Sequence, residues 1–129
     1  MARILIAEDD PDIREMVETK LSELGYETVA VADGEAAMRA CVERSFDLAV
    51  LDIMMPGMSG LETLRLLRAN EWFAAMPVVI MTALTNEYDV KRGYETGASV
   101  YLTKPFSLAA LGERVEELLS ARSGASASS

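Results

Sequence analysis

Four acids and one lysine stand where solubility alone does not account for them. Glu8, Asp9 and Asp10 follow the apolar run at residues 4–7, Asp52 closes the run at 48–51, and Lys104 comes just after the run at 100–102. Thr82 closes a further run at 78–81. If these runs are strands of one sheet, with the first and third as neighbours, their ends bring at least three carboxylates to one point. Like charges a few ångströms apart raise one another's pKa, so such a cluster needs a cation. All-oxygen ligation with few protein donors suits Mg²⁺, which keeps several waters and favours phosphate as a partner. Alone, Lys104, one of three lysines, reads as a surface lysine snorkelling from a strand end, and Thr82 as a cap. The acids at the adjoining edges turn the first into a charge partner and the second into a candidate phosphate contact.

The elements that place these groups are legible from periodicity. Apolar runs at 4–7, 28–32, 48–51, 78–81 and 100–102 are too short for helices, and most lack the polar alternation of a one-sided sheet. They read as strands covered on both faces. Between them, Ile13, Val17, Leu21 and Leu24 make a helical stripe that opens at Asp10-Pro11 and stops at Gly25. Asp33-Gly34 opens a second helix with Ala36, Ala37, Ala40 and Cys41 on one face, which makes Cys41 a small core residue. Leu61, Leu64 and Leu67 mark a third helix over about 60–70, and a fourth spans about 86–96. The fifth follows Ser107, with Leu108, Leu111, Val115 and Leu118 or Leu119 inward. Five strands alternating with five helices predict a three-layer α/β/α sandwich around a parallel sheet with right-handed crossovers.

The 129 residues suffice for one domain, and half are hydrophobic. A single Cys and no His exclude an internal disulfide, a Cys-based zinc site and a His base. The net charge is −9, from 21 acids against 12 bases, so this domain is not expected to bind nucleic acid directly. No apolar run approaches a membrane span and no signal peptide precedes Glu8, so the expected location is cytoplasmic. From Ser120 the chain turns Ser/Ala-rich, which divides it into a domain at 1–120 and a flexible tail or truncated linker at 121–129.

In four segments the chain resembles the receiver domains of bacterial two-component response regulators. They are Ile4-Leu5-Ile6-Ala7-Glu8-Asp9-Asp10, Leu51-Asp52-Ile53-Met54-Met55-Pro56-Gly57-Met58-Ser59-Gly60, Met81-Thr82-Ala83, and Tyr101-Leu102-Thr103-Lys104-Pro105-Phe106. An acidic pair or a Lys-Pro is common; all four in order, each at a strand end, are a specific combination. The resemblance implies a flavodoxin-like sandwich with strand order 2-1-3-4-5. It implies that Asp52 is the phospho-acceptor, receiving its phosphoryl group from a sensor histidine kinase or a phosphotransfer protein. Asp9, Glu8 (mainly through water), Asp52 and the Met54 carbonyl would hold Mg²⁺, with Mn²⁺ as a substitute. Lys104 would pair with Asp52 and then with the phosphoryl oxygens. Thr82 and Ala83 would contact the phosphoryl group, and Tyr101 would turn inward behind Thr82. The Lys104-Pro105 bond would be cis. Phosphorylation would switch the face of the fourth helix, fifth strand and fifth helix, and so control an output domain or a protein partner. Met54 and Leu84 would border the phosphoryl group and tune its hydrolysis. Such a domain catalyses only its own modification and is not expected to be an enzyme.

The chain departs from one branch of that family. Where an acidic pair would precede the switch aromatic it has Ser99-Val100, and where an acid would begin the last helix it has Ala110. Arg92 and Arg114 thereby lose their salt-bridge partners, so a monomer or weak dimer is expected. A flavodoxin-type carrier would need a hydroxyl- and glycine-rich phosphate loop where Glu8-Asp9-Asp10-Pro11 stands. A haloacid-dehalogenase-type hydrolase would need an acid at Met54. A pseudo-receiver would have lost one of the acids or the lysine, and this chain keeps them all.

Overall fold

The computed structural model describes residues 1–83, 91 and 94–128, with side chains described to residue 121. Five strands, β1 (Arg3–Ala7), β2 (Glu27–Val31), β3 (Leu48–Asp52), β4 (Val78–Thr82) and β5 (Val100–Thr103), form one parallel sheet ordered β2-β1-β3-β4-β5. Helices α1 (Pro11–Glu23), α2 (Gly34–Glu43) and α3 (Gly60–Ala69) follow the first three strands. Residues 91 and 94–96 are helical and define α4; α5 (Leu108–Ser128) follows β5.

Strand alternation splits the core into two layers. Leu5, Ala7, Ala49 and Leu51 face Ala37, Cys41, Leu64 and Leu67 of α2 and α3, while Ile4, Ile6, Leu48 and Val50 face Val17 and Leu21 of α1 and Leu111 and Val115 of α5. The central strands β3 and β4 are buried at every position, as continuous apolar runs require. The two edge strands depart from that expectation: β2 is exposed or half-buried throughout, and β5 is buried only at Val100. An edge strand has a neighbour on one side only, so the helices cover it incompletely.

Helix starts follow local chemistry. Asp10 caps α1 through Oδ1, which accepts from the Asp12 N–H (2.9 Å) and the Ile13 N–H (3.3 Å). Asp33 caps α2 and Ser59 caps α3 in the same way. The fourth helix expected at 86–96 is described only at its end. The fifth runs past the composition change at Ser120 to Ser128, where Ala, the strongest helix former, alternates with Ser.

Candidate functional site

The chain order reverses between β1 and β3, which lie side by side, and their carboxyl ends open on one crevice. β1 delivers Glu8 and Asp9 to it; β3 ends in Asp52, β4 in Thr82, and Lys104 follows β5. Glu8 and Thr82 are 0% exposed and Asp52 is 3% exposed, whereas Asp9 is open to solvent. Lys104 Nζ donates to both carboxylate oxygens of Glu8 (Oε1 3.2 Å, Oε2 3.0 Å) and to Asp52 Oδ2 (3.2 Å). The sequence paired Lys104 with Asp52; the folded chain gives it Glu8 as well.

The backbone around Asp52 is held closely. The Met54 N–H donates to Asp52 Oδ1 (3.2 Å), and the Gly60 N–H returns to the Ile53 carbonyl (3.0 Å). A Cβ on Gly60 would lie 2.2 Å from the Asp52 carbonyl oxygen, so only glycine lets α3 begin this close to the acceptor strand. Behind Glu8, Arg14 Nη1 donates to its carbonyl (2.9 Å), and the Asp10 N–H donates to Glu8 Oε1 (3.3 Å). Neither the Gly60 constraint nor Arg14 was read from the sequence. Gly60 follows the Ser59 cap and was legible in principle; nothing singles out Arg14.

Electrostatically the site is short of positive charge. Glu8, Asp9 and Asp52 each bring a carboxylate oxygen within 4.8 Å of the others, and Lys104 is the cation among them. Burial pushes the Glu8 carboxyl up to about 7, more than the Lys104 hydrogen bond brings it down, and Asp52 adds to the rise. Burial alone would lower Lys104, but its Glu8 hydrogen bond and the Asp52 and Glu8 charges outweigh that and raise it. Three hard oxygen donors with one lysine fit a small divalent cation, which would supply the missing charge.

Ala83 is exposed just past β4, and Met54 is 57% exposed at the rim. The Thr82 carbonyl accepts from the Lys104 N–H (2.7 Å), and the Lys104-Pro105 bond is cis. Tyr101 is half-buried in β5. Leu84 and Arg92 lie outside the described residues.

Residues 4–116 match the family described as the response regulator receiver domain. The chain belongs to that family. It is 41% identical over 117 residues to the DNA-binding response regulator MtrA of Mycolicibacterium smegmatis, covering 91% of this chain and 50% of that one. The chain thus spans about half the length of that curated relative. Among solved structures it is similar to the receiver domain of the Francisella response regulator 1452 (TM-score 0.89, 34% identity, 95% of this chain and 99% of that one). It is also similar to the receiver domain of the Pseudomonas aeruginosa sensor histidine kinase PA1611, solved with a magnesium ion coordinated in the active site cleft (TM-score 0.85, 30% identity, 92% and 98%). The five-stranded 2-1-3-4-5 sheet with five helices is the receiver fold of these neighbours.

Proposed function

We propose that this receiver domain accepts a phosphoryl group on Asp52 and that the modification switches the face formed by α4, β5 and α5. One observation carries the reading: the Lys104 ammonium bridges Glu8 and Asp52 at the mouth of an acidic crevice whose three carboxylates outnumber it. A carboxylate oxygen of Asp52 attacks phosphorus in line, forming an acyl phosphate as the bond to the donor's leaving group breaks with its electron pair. Phosphoryl transfer asks the protein mainly for positioning and charge neutralisation. Lys104 follows the transferred oxygens, the Met54 N–H orients the acceptor, and the Thr82 hydroxyl and the Ala83 backbone, at the end of β4, would bind the product. Mg²⁺, or Mn²⁺ in its place, would be held by Asp9, Glu8, Asp52 and the Met54 carbonyl, and would neutralise charge on the phosphoryl oxygens.

The donor is a sensor histidine kinase or a phosphotransfer protein, and the readout is an output domain or a partner protein. The half-length match to a DNA-binding regulator makes an output domain beyond this chain the favoured form. We place the signalling unit at 1–120 and the protein in the cytoplasm. Arg114 is engaged within its own helix by Glu117 (3.3 Å), and Ser99, Val100 and Ala110 offer no acids across α4, β5 and α5. That favours a monomer or weak dimer. The domain modifies itself and turns over no other substrate. With Mg²⁺ and acetyl phosphate, the wild type gains one base-labile phosphoryl group by intact mass and Asp52→Asn gains none, because an amide is not a nucleophile here. Equal labelling of both proteins places the acceptor elsewhere and removes this reading.

A further inference from the structure

The last turn of α4 is held from two sides. From α3, Arg68 Nε and Nη2 donate to the Gly97 carbonyl (3.0 and 2.8 Å), while Nη1 donates to the carbonyls of Phe73 (3.2 Å) and Met76 (2.7 Å). Gly97 has φ +119°, and a Cβ there would sit 2.9 Å from Arg68 Nε, so glycine both ends the helix and admits the guanidinium. The Gly97 N–H donates to the Tyr94 carbonyl (3.0 Å), which makes residues 94–97 one rigid turn anchored to α3.

On the other side the same turn reaches β5. The Tyr94 hydroxyl accepts from the Tyr101 N–H (3.2 Å), and the two rings lie 6.1 Å apart, tilted by 39°. Backbone N–H groups alternate sides along a strand. The Lys104 N–H points into the sheet, at the Thr82 carbonyl, so that of Tyr101, three residues earlier, points to the open edge. An edge N–H ordinarily meets water. Here it meets a phenol that is itself on the surface, since Tyr94 is 47% exposed and adds little to the core.

We propose that Tyr94 is a positioning residue of the switch: its hydroxyl and ring tie the Tyr101 backbone to the last turn of α4. Arg68 holds the Gly97 end of that turn fixed. A displacement of β5 at Tyr101 is then passed to α4 through the phenol, and α4 tilts about Gly97 rather than sliding along the sheet. The inference rests on the phosphorylation reading above, in which Tyr101 is the residue that responds.

The test is Tyr94→Phe, which keeps the ring and removes the acceptor, with Tyr94→Leu to remove both. Amide hydrogen exchange at Tyr101 is measured first, without any phosphoryl analogue. One lost net hydrogen bond predicts roughly fivefold faster exchange in Tyr94→Phe, at an otherwise unchanged exchange pattern in β4. Amide shifts on adding Mg²⁺ and beryllofluoride are measured next. In the wild type they reach Tyr101 and residues 94–96; in Tyr94→Phe the Tyr101 shifts persist and those at 94–96 fall by more than half, with a further fall in Tyr94→Leu. Unchanged exchange at Tyr101, or wild-type shifts at 94–96 in both variants, overturns the role of Tyr94 alone. A wild-type protein whose Asp52 and Thr82 amides ignore beryllofluoride overturns the phosphorylation reading, and this inference with it.

Discussion

Two partly buried cations in this small domain are satisfied in opposite ways. Arg68 meets three neutral carbonyls through four hydrogen bonds, and burial lowers its pKa without any carboxylate among those acceptors. Lys104 meets two buried carboxylates, with a third, Asp9, close by. The first arrangement adds no opposing charge: each guanidinium nitrogen has a carbonyl fixed by the backbone, and the cluster joins α3, the β4 entry and the end of α4. The second leaves negative charge over and raises the Glu8 carboxyl instead. A cation whose partners are all backbone holds the fold together. One that is outnumbered by acids marks a place where another charge is meant to enter and leave.

The sharpest contrast comes from removing each cation. Arg68→Met takes their guanidinium donor from the Gly97 and Met76 carbonyls, while Phe73 keeps the Met76 N–H, and should cost about 4 kcal/mol in urea unfolding, equally with and without Mg²⁺. Lys104→Met should cost about 2–3 kcal/mol at pH 8 without metal, below the usual cost of breaking a buried pair because Glu8 can take up a proton. Mg²⁺ should recover much of that loss, and Arg68→Met should recover none beyond the wild-type gain. Equal responses of the two variants to Mg²⁺ would erase the distinction.

pH separates the same two sites. The Glu8 carboxyl is raised from 4.5 to about 7, so the folded chain keeps a proton that the unfolded chain releases. Its stabilising contribution is complete below pH 4.5 and is lost as pH rises through 7, by about 3 kcal/mol without metal. Mg²⁺ competes with that proton, so its apparent affinity should rise over the same window. Glu8→Gln should flatten the slope and Arg68→Met should leave it in place, both read by urea unfolding at several pH values.

The smallest expected effect concerns the lifetime of the phosphoryl group. Met54 at the exposed rim, and Leu84 by its position in the sequence, offer no hydrogen bond to orient an attacking water. Met54→Asn with Leu84→Glu should shorten the half-life of phospho-Asp52 by roughly threefold in saturating Mg²⁺, well below what a fully positioned general base supplies. An unchanged half-life in a normally labelled double variant would leave Lys104 and the metal to set the rate.

The strand-end acids, Thr82 and Lys104 were legible because burial on both faces makes a strand a continuous apolar run, and its first polar residue then marks the carboxyl edge. The caps at Asp10 and Asp33 were legible because capping is local. Less so was whatever depends on which strands are edges, hence the overestimate of cover on β2 and β5. Pairwise geometry was also hidden. That Lys104 serves Glu8 as much as Asp52, that Arg68 clasps Gly97, and that Tyr94 reaches Tyr101 are contacts between segments separated in sequence. An arginine on a leucine-rich helix and a tyrosine three residues before a glycine carry no local mark of such roles.

The charge deficit itself is tested most directly by the melting temperature in a Mg²⁺ titration of the wild type and Asp9→Ala. A ligand confined to the folded state adds about 2.7 kcal/mol at a hundred times its dissociation constant. The wild type should therefore melt several degrees higher at saturation, and Asp9→Ala, lacking the exposed carboxylate, should rise less. A wild-type melting point that stays flat through the titration would contradict a cation site at Glu8, Asp9 and Asp52.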